Sequence, residues 1–256
     1  MKNMESNIKK QLGRIIIYGG LLSTIILYQF GRSIWHPLYV KLYGRQTSEG
    51  VYRNIGDKID KNWGKDLKEV GLDQYPEKIC IIGLKKEQVL EIWTNDRATN
   101  ILIKSYNFTA FSGGLGPKLK SGDGQIPEGI YQLEYLNPNS SYHLSIKINY
   151  PNKFDIECGK DDGRKNLGGD IFIHGKSVTI GCIPIGDANI EELFILVYKL
   201  GLENVKVIIA PNDLRIGQPA YENKKIEWLN RKYRRIKREL MKYKNLNYPE
   251  TDINAK

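Results

Sequence analysis

From Lys78 onward, the chain consists of short apolar runs separated by polar or glycine-bearing turns. Runs of this length, rich in isoleucine, valine and aromatic residues, are typical of β-strands. One longer apolar stretch, Ile190 to Leu200, has the length of a helix. We therefore expect a mainly β, α+β fold with a largely antiparallel sheet. The predicted strands are KICIIGL, QVLEIWT, ILIKSYNFT, GIYQLEYL, YHLSIKINY, DIFIHG, SVTIGC and VKVIIA.

Two further segments have the apolar period of an amphipathic helix. From Ile55 to Val70, apolar positions recur every three to four residues, and Gly71 should end the helix. In the tail, from Tyr221 to Lys244, an apolar stripe is surrounded by lysine and arginine. Two interpretations of this tail stay open. Either the stripe simply docks on the domain, or the basic face also touches a membrane surface or an anionic wall polymer.

The N-terminal region contains an uncharged apolar stretch, Ile15 to Phe30, bounded by Arg14 and Arg32. With its flanks, it reaches the about 20 residues that a membrane-spanning helix needs. Basic residues are more frequent before the stretch than after it, which favours an N-terminus inside the cell and the remainder outside. We predict a single-pass signal-anchor, with a cleaved signal peptide or a buried helix as the alternatives.

Together these patterns predict four parts of the chain. Residues 1–36 form the transmembrane segment, and residues 37–77 form a juxtamembrane and amphipathic helical segment. Residues 78–215 form the catalytic or binding domain, and residues 216–256 form the basic C-terminal helix and tail. The sequence gives no prediction of oligomeric state.

Charge and cysteine content narrow the class of protein. The 256 residues carry a formal net charge of +10, which favours anionic surroundings. No signature of a nucleic-acid-binding fold accompanies this charge, so we expect no nucleic-acid partner. Cys80, Cys158 and Cys182 lack the spacing of a zinc site, so neither a metal nor a cofactor is expected. Cys80 lies in an apolar run and should be a core residue.

The segment FIHGKSVTIGC, Phe172 to Cys182, carries a histidine and a cysteine, each beside a glycine. A thiol is mostly protonated at neutral pH and needs a base, for which imidazole is well suited. If IFIHG and SVTIGC form a hairpin, His174 and Cys182 lie at the same end of adjacent strands. Backbone N–H groups near Cys182 would then stabilise an oxyanion, and Pro184 should end the strand. The alternative is that both residues are structural.

The pattern His174-Gly175…Thr179-x-Gly181-Cys182 resembles the YkuD-type L,D-transpeptidase catalytic domain, particularly its YafK-like branch. The upstream stretch GPKLKSGDGQIPEGIYQLEYLNPNSSYHLSIKINYPN is typical of that branch, and IPEGIY within it matches the family's Pro-x-Gly-x-aromatic strand entry. The resemblance covers about Lys78 to Pro211. It implies a YkuD-like β-sandwich or barrel that acts on the stem peptides of bacterial peptidoglycan. Such a domain would lie in the periplasm or on the outer face of the cell membrane.

The resemblance also implies roles for individual residues. Cys182 would attack the carbonyl of the third residue of a tetrapeptide stem and expel the terminal D-alanine, with His174 as general base. The thioester would then pass to an amine, which forms a cross-link, or to water. Gly175 and Gly181 would shape the site, and Thr179 would hydrogen-bond within the pocket. His143 is a further candidate for the pocket.

The chain departs from the common family pattern at two places. Ile180 stands where a second histidine is usual, and residues 183–185 (IPI) stand where an arginine follows the cysteine. His174 also needs an orienting partner, for which His143 and Asp170 are candidates. Three functions stay open: transpeptidation, hydrolysis by the same Cys–His pair, and a non-catalytic, membrane-tethered wall-binding module. Candidates to replace the missing arginine are Lys118, Lys120, Lys176 and Arg164.

Overall fold

The computed structural model describes residues 11, 13–24, 27, 31–96, 98 and 100–244. The chain divides into two compact units, which meet in sequence between Arg45 and Gln46. In the first unit, residues 13–24 are helical, and helix α1 spans Arg32–Tyr43. Within the described part of the chain, no helix combines the length and the apolar character needed to cross a membrane. The predicted span over residues 15–30 lies partly outside the described residues and is not confirmed.

The second unit is built on one eight-stranded mixed sheet with the order β3-β2-β1-β8-β4-β5-β6-β7. The pairs β1–β8 and β6–β7 are parallel, and the other described pairs are antiparallel. The mainly β, α+β class is thus confirmed. The strands are β1 Ile79–Leu84, β2 Val89–Thr94, β3 Leu102–Asn107, β4 Gly129–Ser140, β5 His143–Ile148, β6 Phe172–His174, β7 Ile183–Pro184 and β8 Val205–Ala210.

The sheet curls until the chain beyond one edge strand reaches the other edge. The N–H of Thr109, two residues after β3, donates to the carbonyl of Pro184 in β7 at 2.9 Å. The predicted sandwich or barrel therefore takes the form of one curled sheet. Because β7 is an edge strand, the missing N–H of Pro184 removes no central ladder bond.

The helices cover both faces of the sheet. They are α2 Ser48–Glu69, α3 Lys153–Asp161, α4 Asp187–Leu200 and α5 Leu229–Leu240. One apolar core contains α2 and α4 with Ile79 and Ile81 of β1, and the other contains α5 with Cys80 and Ile82. Successive side chains of a strand point to opposite faces, so alternate side chains of β1 pack into the two cores. Cys80 is fully buried, as predicted.

Both amphipathic helices form, but with different limits from those predicted. Helix α2 begins at Ser48 because the side chain of Thr47 caps its N-terminus, accepting from the N–H of Gly50 at 3.0 Å. Helix α5 is shorter than the predicted Tyr221–Lys244 segment. Its apolar stripe is buried against the sheet, as both interpretations of the tail require. The buried stripe residues are Leu229, Tyr233, Ile236 and Leu240.

Candidate active site

A cleft of about 420 Å³ lies over the sheet at β4, β5 and β6. Its floor follows from the strand register, which aligns Asn137, Ser145 and His174 side by side across the three strands. The loop between β6 and β7 supplies Cys182 to the same cleft, so the two predicted catalytic side chains share one cavity. Other residues that line it include Tyr142, Asp170, Phe172, Val178, Thr179 and Ile180.

His174 is buried and held from two sides. Its Nδ1 lies 2.6 Å from the carbonyl oxygen of Gly175, and its ring lies over Tyr142 with centroids 4.7 Å apart. A carbonyl only accepts, so Nδ1 carries the proton and Nε2 keeps a free lone pair. Burial lowers the pKa of His174 below its usual 6.5. The imidazole is therefore neutral at neutral pH and able to accept a proton.

Cys182 is half-buried, and burial raises the pKa of its thiol above the usual 9.0. The nearby charge of Asp170 acts in the same direction, while the N–H of Phe172 and the charge of Lys118 lower it. The sulfur accepts from the N–H of Phe172 at 3.4 Å and lies 3.6 Å from the carbonyl oxygen of Asp170. The described residues include no hydrogen bond between His174 and Cys182, and the sulfur contacts the backbone of residues 170 and 172 instead.

The predicted hairpin between IFIHG and SVTIGC is wrong. Residues 175–182 form a loop, and the chain returns to the sheet only at β7, which runs parallel to β6. Thr179 replaces the ladder bonds: its hydroxyl accepts from the N–H of Cys182 at 2.9 Å and donates to the carbonyl of Cys182 at 2.7 Å. Its hydrogen bonds therefore fix the backbone of the cysteine.

The two glycines allow close approach of neighbouring groups. A Cβ on Gly175 would lie 2.6 Å from a carboxylate oxygen of Asp187 and 2.7 Å from the carbonyl oxygen of Tyr142. Gly181 has φ +105°, and a Cβ there would lie 2.9 Å from the carbonyl oxygen of Gln125. A side chain at Gly175 would therefore displace the backbone at Tyr142, and one at Gly181 would displace the backbone at Gln125.

The expected oxyanion donors are already engaged in this structure. The N–H of Gly181 donates to the hydroxyl of Ser112 at 2.7 Å, and the N–H of Cys182 donates to Thr179. Ser145, by contrast, presents a buried hydroxyl in the cleft floor beside His174. Its position in the floor makes this hydroxyl a candidate to contact a bound carbonyl.

His143 and Asp170, the two candidates to orient His174, pair with other side chains instead. Nε2 of His143 lies 2.7 Å from Glu191 of α4, and His143 is not part of the cleft lining. Asp170 lines the cleft, but its carboxylate is exposed and pairs with Lys147 at 3.0 Å. The backbone carbonyl of Gly175 therefore takes the role that the sequence suggested for these two side chains.

Of the candidate cations, Lys118 is electrostatically coupled to the thiol. It is buried and pairs with Asp123 at 2.6 Å. Lys176 pairs with Asp187, and Arg164 pairs with Asp162 and stacks over Trp228. None of these side chains lines the cleft, and neither does Lys120.

Sequence reasoning missed Tyr142, Ser145 and Ser112. Ser145 follows His143 by two positions in YHLS, but His143 has φ +75° and pairs with Glu191 outside the cleft, so alternation from His143 gives no indication of Ser145. Ser112 lies 69 residues before Gly181, and no local pattern indicates that contact. No cluster of three or more potential metal ligands occurs in the described ranges of the chain. A larger groove of about 850 Å³, at β4, α3 and β8, has neither cysteine nor histidine in its lining.

Residues 77–209 match the model of the YkuD family, described as an L,D-transpeptidase catalytic domain. YafK of Escherichia coli K12, whose own assignment as an L,D-transpeptidase is provisional, is 34% identical over 152 residues. That alignment covers 56% of this chain, and the chain spans 59% of the length of YafK.

Two solved structures are also similar. Pgp2 of Campylobacter jejuni, a helical cell shape determining protein, has a TM-score of 0.43 and 22% identity over 59% of this chain and 56% of its own. L,D-transpeptidase 1 of Mycobacterium tuberculosis has a TM-score of 0.31 and 10% identity over 52% of this chain and 61% of its own.

Proposed function

The chain belongs to the YkuD family of L,D-transpeptidase catalytic domains, and from this membership we propose that it transfers acyl groups between peptidoglycan stem peptides. Cys182 is the nucleophile and His174 the general base. The observation that carries the proposal is the shared cleft, which is lined both by a half-buried thiol and by a neutral imidazole whose Nδ1 is held by Gly175.

The reaction begins when the thiol turns from the Asp170–Phe172 backbone toward His174. Nε2 of His174 takes the thiol proton as sulfur attacks the carbonyl of the third stem residue. The imidazolium returns that proton to the departing amine of D-alanine, which leaves a thioester on Cys182. An acceptor amine then attacks the thioester, gives its proton to His174 and restores the free thiol.

The cleft walls select an uncharged portion of the donor peptide. Ile180 is 82% exposed at the rim, and Val178 and Phe172 extend the apolar wall. These side chains favour contact with the aliphatic parts of a stem, and Ser145 offers its hydroxyl to a peptide carbonyl. Because peptidoglycan lies outside the cell membrane, the catalytic unit is extracytoplasmic, and the apolar stretch at residues 15–30 is its membrane anchor.

Hydrolysis is the second candidate function. It uses the same pair and differs only in the acceptor. The half-buried position of Cys182 in an open cleft supports it, because water reaches a thioester formed there.

The test is product analysis with purified full-length protein and tetrapeptide-bearing wall fragments. The proposal predicts release of D-alanine and formation of cross-linked dimers, both lost in Cys182→Ala. Cys158→Ala is the matched control. Cys158 is buried outside the cleft, so this variant should retain full activity.

Release of free D-alanine and trimmed tripeptides without any dimer, even with excess acceptor amine, would show that the protein hydrolyses the thioester rather than transferring it to an amine. Absence of any D-alanine release would contradict both enzymatic candidates and favour the wall-binding module.

A further inference from the structure

A buried charged network lies outside the cleft, beneath helix α5. Lys85, just after β1, and Glu128, just before β4, have fully buried side chains and pair at 2.9 Å. Tyr233 of α5 donates its hydroxyl to the other carboxylate oxygen of Glu128 at 2.8 Å. Lys232 donates to the carbonyl of Glu128 and to the buried carboxylate of Asp155. Such a set is tolerated only while its members are paired, so it fixes the elements that supply them.

The network holds one loop, residues 112–126, at Gly116 and at Ile126. Nζ of Lys85 donates to the carbonyl of Gly116 at 2.6 Å and to that of Ile126 at 2.9 Å. The carboxylate of Glu128 accepts from the N–H of Gly116 at 3.0 Å. Tyr233 completes the coordination of this carboxylate from α5, so the helix contributes directly to holding the loop.

The same loop, residues 112–126, lies against the segment that carries the nucleophile. The hydroxyl of Ser112 accepts from the N–H of Gly181 and donates to the carbonyl of Gly124 at 2.9 Å. The carbonyl oxygen of Gln125 occupies the space that a side chain on Gly181 would need. Each contact constrains the residue immediately before Cys182.

We propose that helix α5 positions the nucleophile, with Tyr233 acting through Glu128 and Lys85 to hold the 112–126 loop against Gly181. Tyr233 is thus a positioning residue. Helix α5 lies beyond residues 77–209, the part of the chain that the family match covers. The inference rests on the proposed function only in taking Cys182 as the reactive thiol.

A matched residue separates positioning from simple support of the fold. Tyr243 is also a buried tyrosine of the C-terminal segment, and its hydroxyl donates to Asn95. It packs edge-on against Trp93 of β2 and makes no described hydrogen bond to the 112–126 loop. Tyr243→Phe therefore removes an equivalent buried hydroxyl without releasing the loop.

The experiment measures the rate at which iodoacetamide alkylates Cys182 in the full chain, kept in mild non-ionic detergent at neutral pH. Peptide-resolved mass spectrometry reports Cys182 separately from the two buried cysteines. We expect Tyr233→Phe to slow alkylation about threefold or more, because a loosened loop misplaces the thiol and withdraws the charge of Lys118. Tyr243→Phe should alkylate at the wild-type rate, and thermal melts should show comparable destabilisation of both variants.

A double-mutant cycle tests the route. Ser112→Ala breaks the contact with Gly181 directly, so Ser112→Ala combined with Tyr233→Phe should be no slower than Ser112→Ala alone. Unchanged or faster alkylation in Tyr233→Phe, equal slowing in Tyr243→Phe, or fully additive effects would each overturn the proposal.

Alkylation does not depend on the biological substrate. If Tyr233→Phe slows alkylation while the wild-type protein releases no D-alanine, the positioning stands and the proposed reaction fails. If D-alanine is released and Tyr233→Phe leaves the alkylation rate unchanged, the proposed reaction stands and the positioning role of Tyr233 fails.

Discussion

His174 and Cys182 both lie in surroundings that favour their uncharged forms. Burial lowers the pKa of the imidazole and raises that of the thiol, so neutral pH does not favour a preformed thiolate–imidazolium pair. The sequence predicted this pair of residues because histidine and cysteine are rare enough to stand out. It did not predict the partner of His174, because the direction of the Gly175 carbonyl depends on the backbone of the turn.

The pH dependence of Cys182 acylation follows from these two pKa shifts. Protonation of His174 removes the base, and its lowered pKa places the acid limb below pH 6.5. The raised thiol pKa keeps the rate nearly constant from neutral pH up to 9.0. Pre-steady-state acylation measured at about pH 5 to 10 checks this profile. A rate that climbs tenfold per unit through neutral pH would contradict it, because that slope indicates a thiolate forming without the base.

Thr179 provides a second prediction at this scale. Thr179→Val removes the hydroxyl that bridges the N–H and carbonyl of Cys182, so we expect a loss of about 1–3 kcal/mol of unfolding free energy. Acylation should slow by about tenfold or more, as is typical when a reacting group is misplaced. Thr179→Ser keeps the hydroxyl and is the control. Urea denaturation and acylation kinetics that do not distinguish the two variants would count against the bridging role.

The secondary-structure elements were predictable where burial of one face gives the apolar residues a regular spacing along the sequence. Seven of the eight predicted runs contain a strand, and the stripe of α5 docks as its pattern indicates. The strand predicted for SVTIGC does not form, although its residues have strand propensity. The side chain of Thr179 instead hydrogen-bonds the backbone of Cys182, so this backbone makes no ladder. The buried network of Lys85, Glu128 and Tyr233 joins residues 43 and 105 positions apart, and no local pattern contains that information.

Helix α2 provides a stability prediction at the scale of elements. Ile59 is 3% exposed in the core beneath the helix, whereas Ile55 is only partly buried. Ile59→Ala should lower the unfolding free energy by about 2–4 kcal/mol through lost burial and a residual cavity. Ile55→Ala makes the same chemical change on the same helix and should cost less than half as much. Equal losses in urea melts would show that α2 does not pack as described.

Positive charge is distributed unevenly over the whole molecule. Residues 221–244 contain ten lysines and arginines but three glutamates, and the docked stripe of α5 turns most of these cations toward solvent. Because the apolar face of α5 is occupied, attraction of this surface to an anionic partner would be electrostatic and strongly salt-dependent. Helix α2 also exposes lysines, but acidic residues accompany them.

Charge neutralisation tests whether the basic surface of residues 221–244 dominates the attraction of the protein to anionic partners. Exchanging Arg234, Arg235 and Arg238 for glutamine should lower the salt concentration that elutes the protein from an immobilised anionic polymer. Exchanging Lys58, Lys61 and Lys65 of α2 removes the same total charge and should have a smaller effect. All six side chains are exposed. Identical elution shifts would show that net charge, rather than its clustering on α5, governs binding.

The most direct test of the account is peptide-resolved mass spectrometry of the protein quenched during reaction with a tetrapeptide-bearing wall fragment. The account predicts an acyl adduct on the peptide that contains Cys182, with one D-alanine released for each adduct formed. In His174→Gln the adduct should form about 10²–10⁴ times more slowly, because the thiol lacks its base. Release of D-alanine while Cys182 stays unmodified, or an adduct on Cys80 or Cys158, would contradict the assignment of the nucleophile.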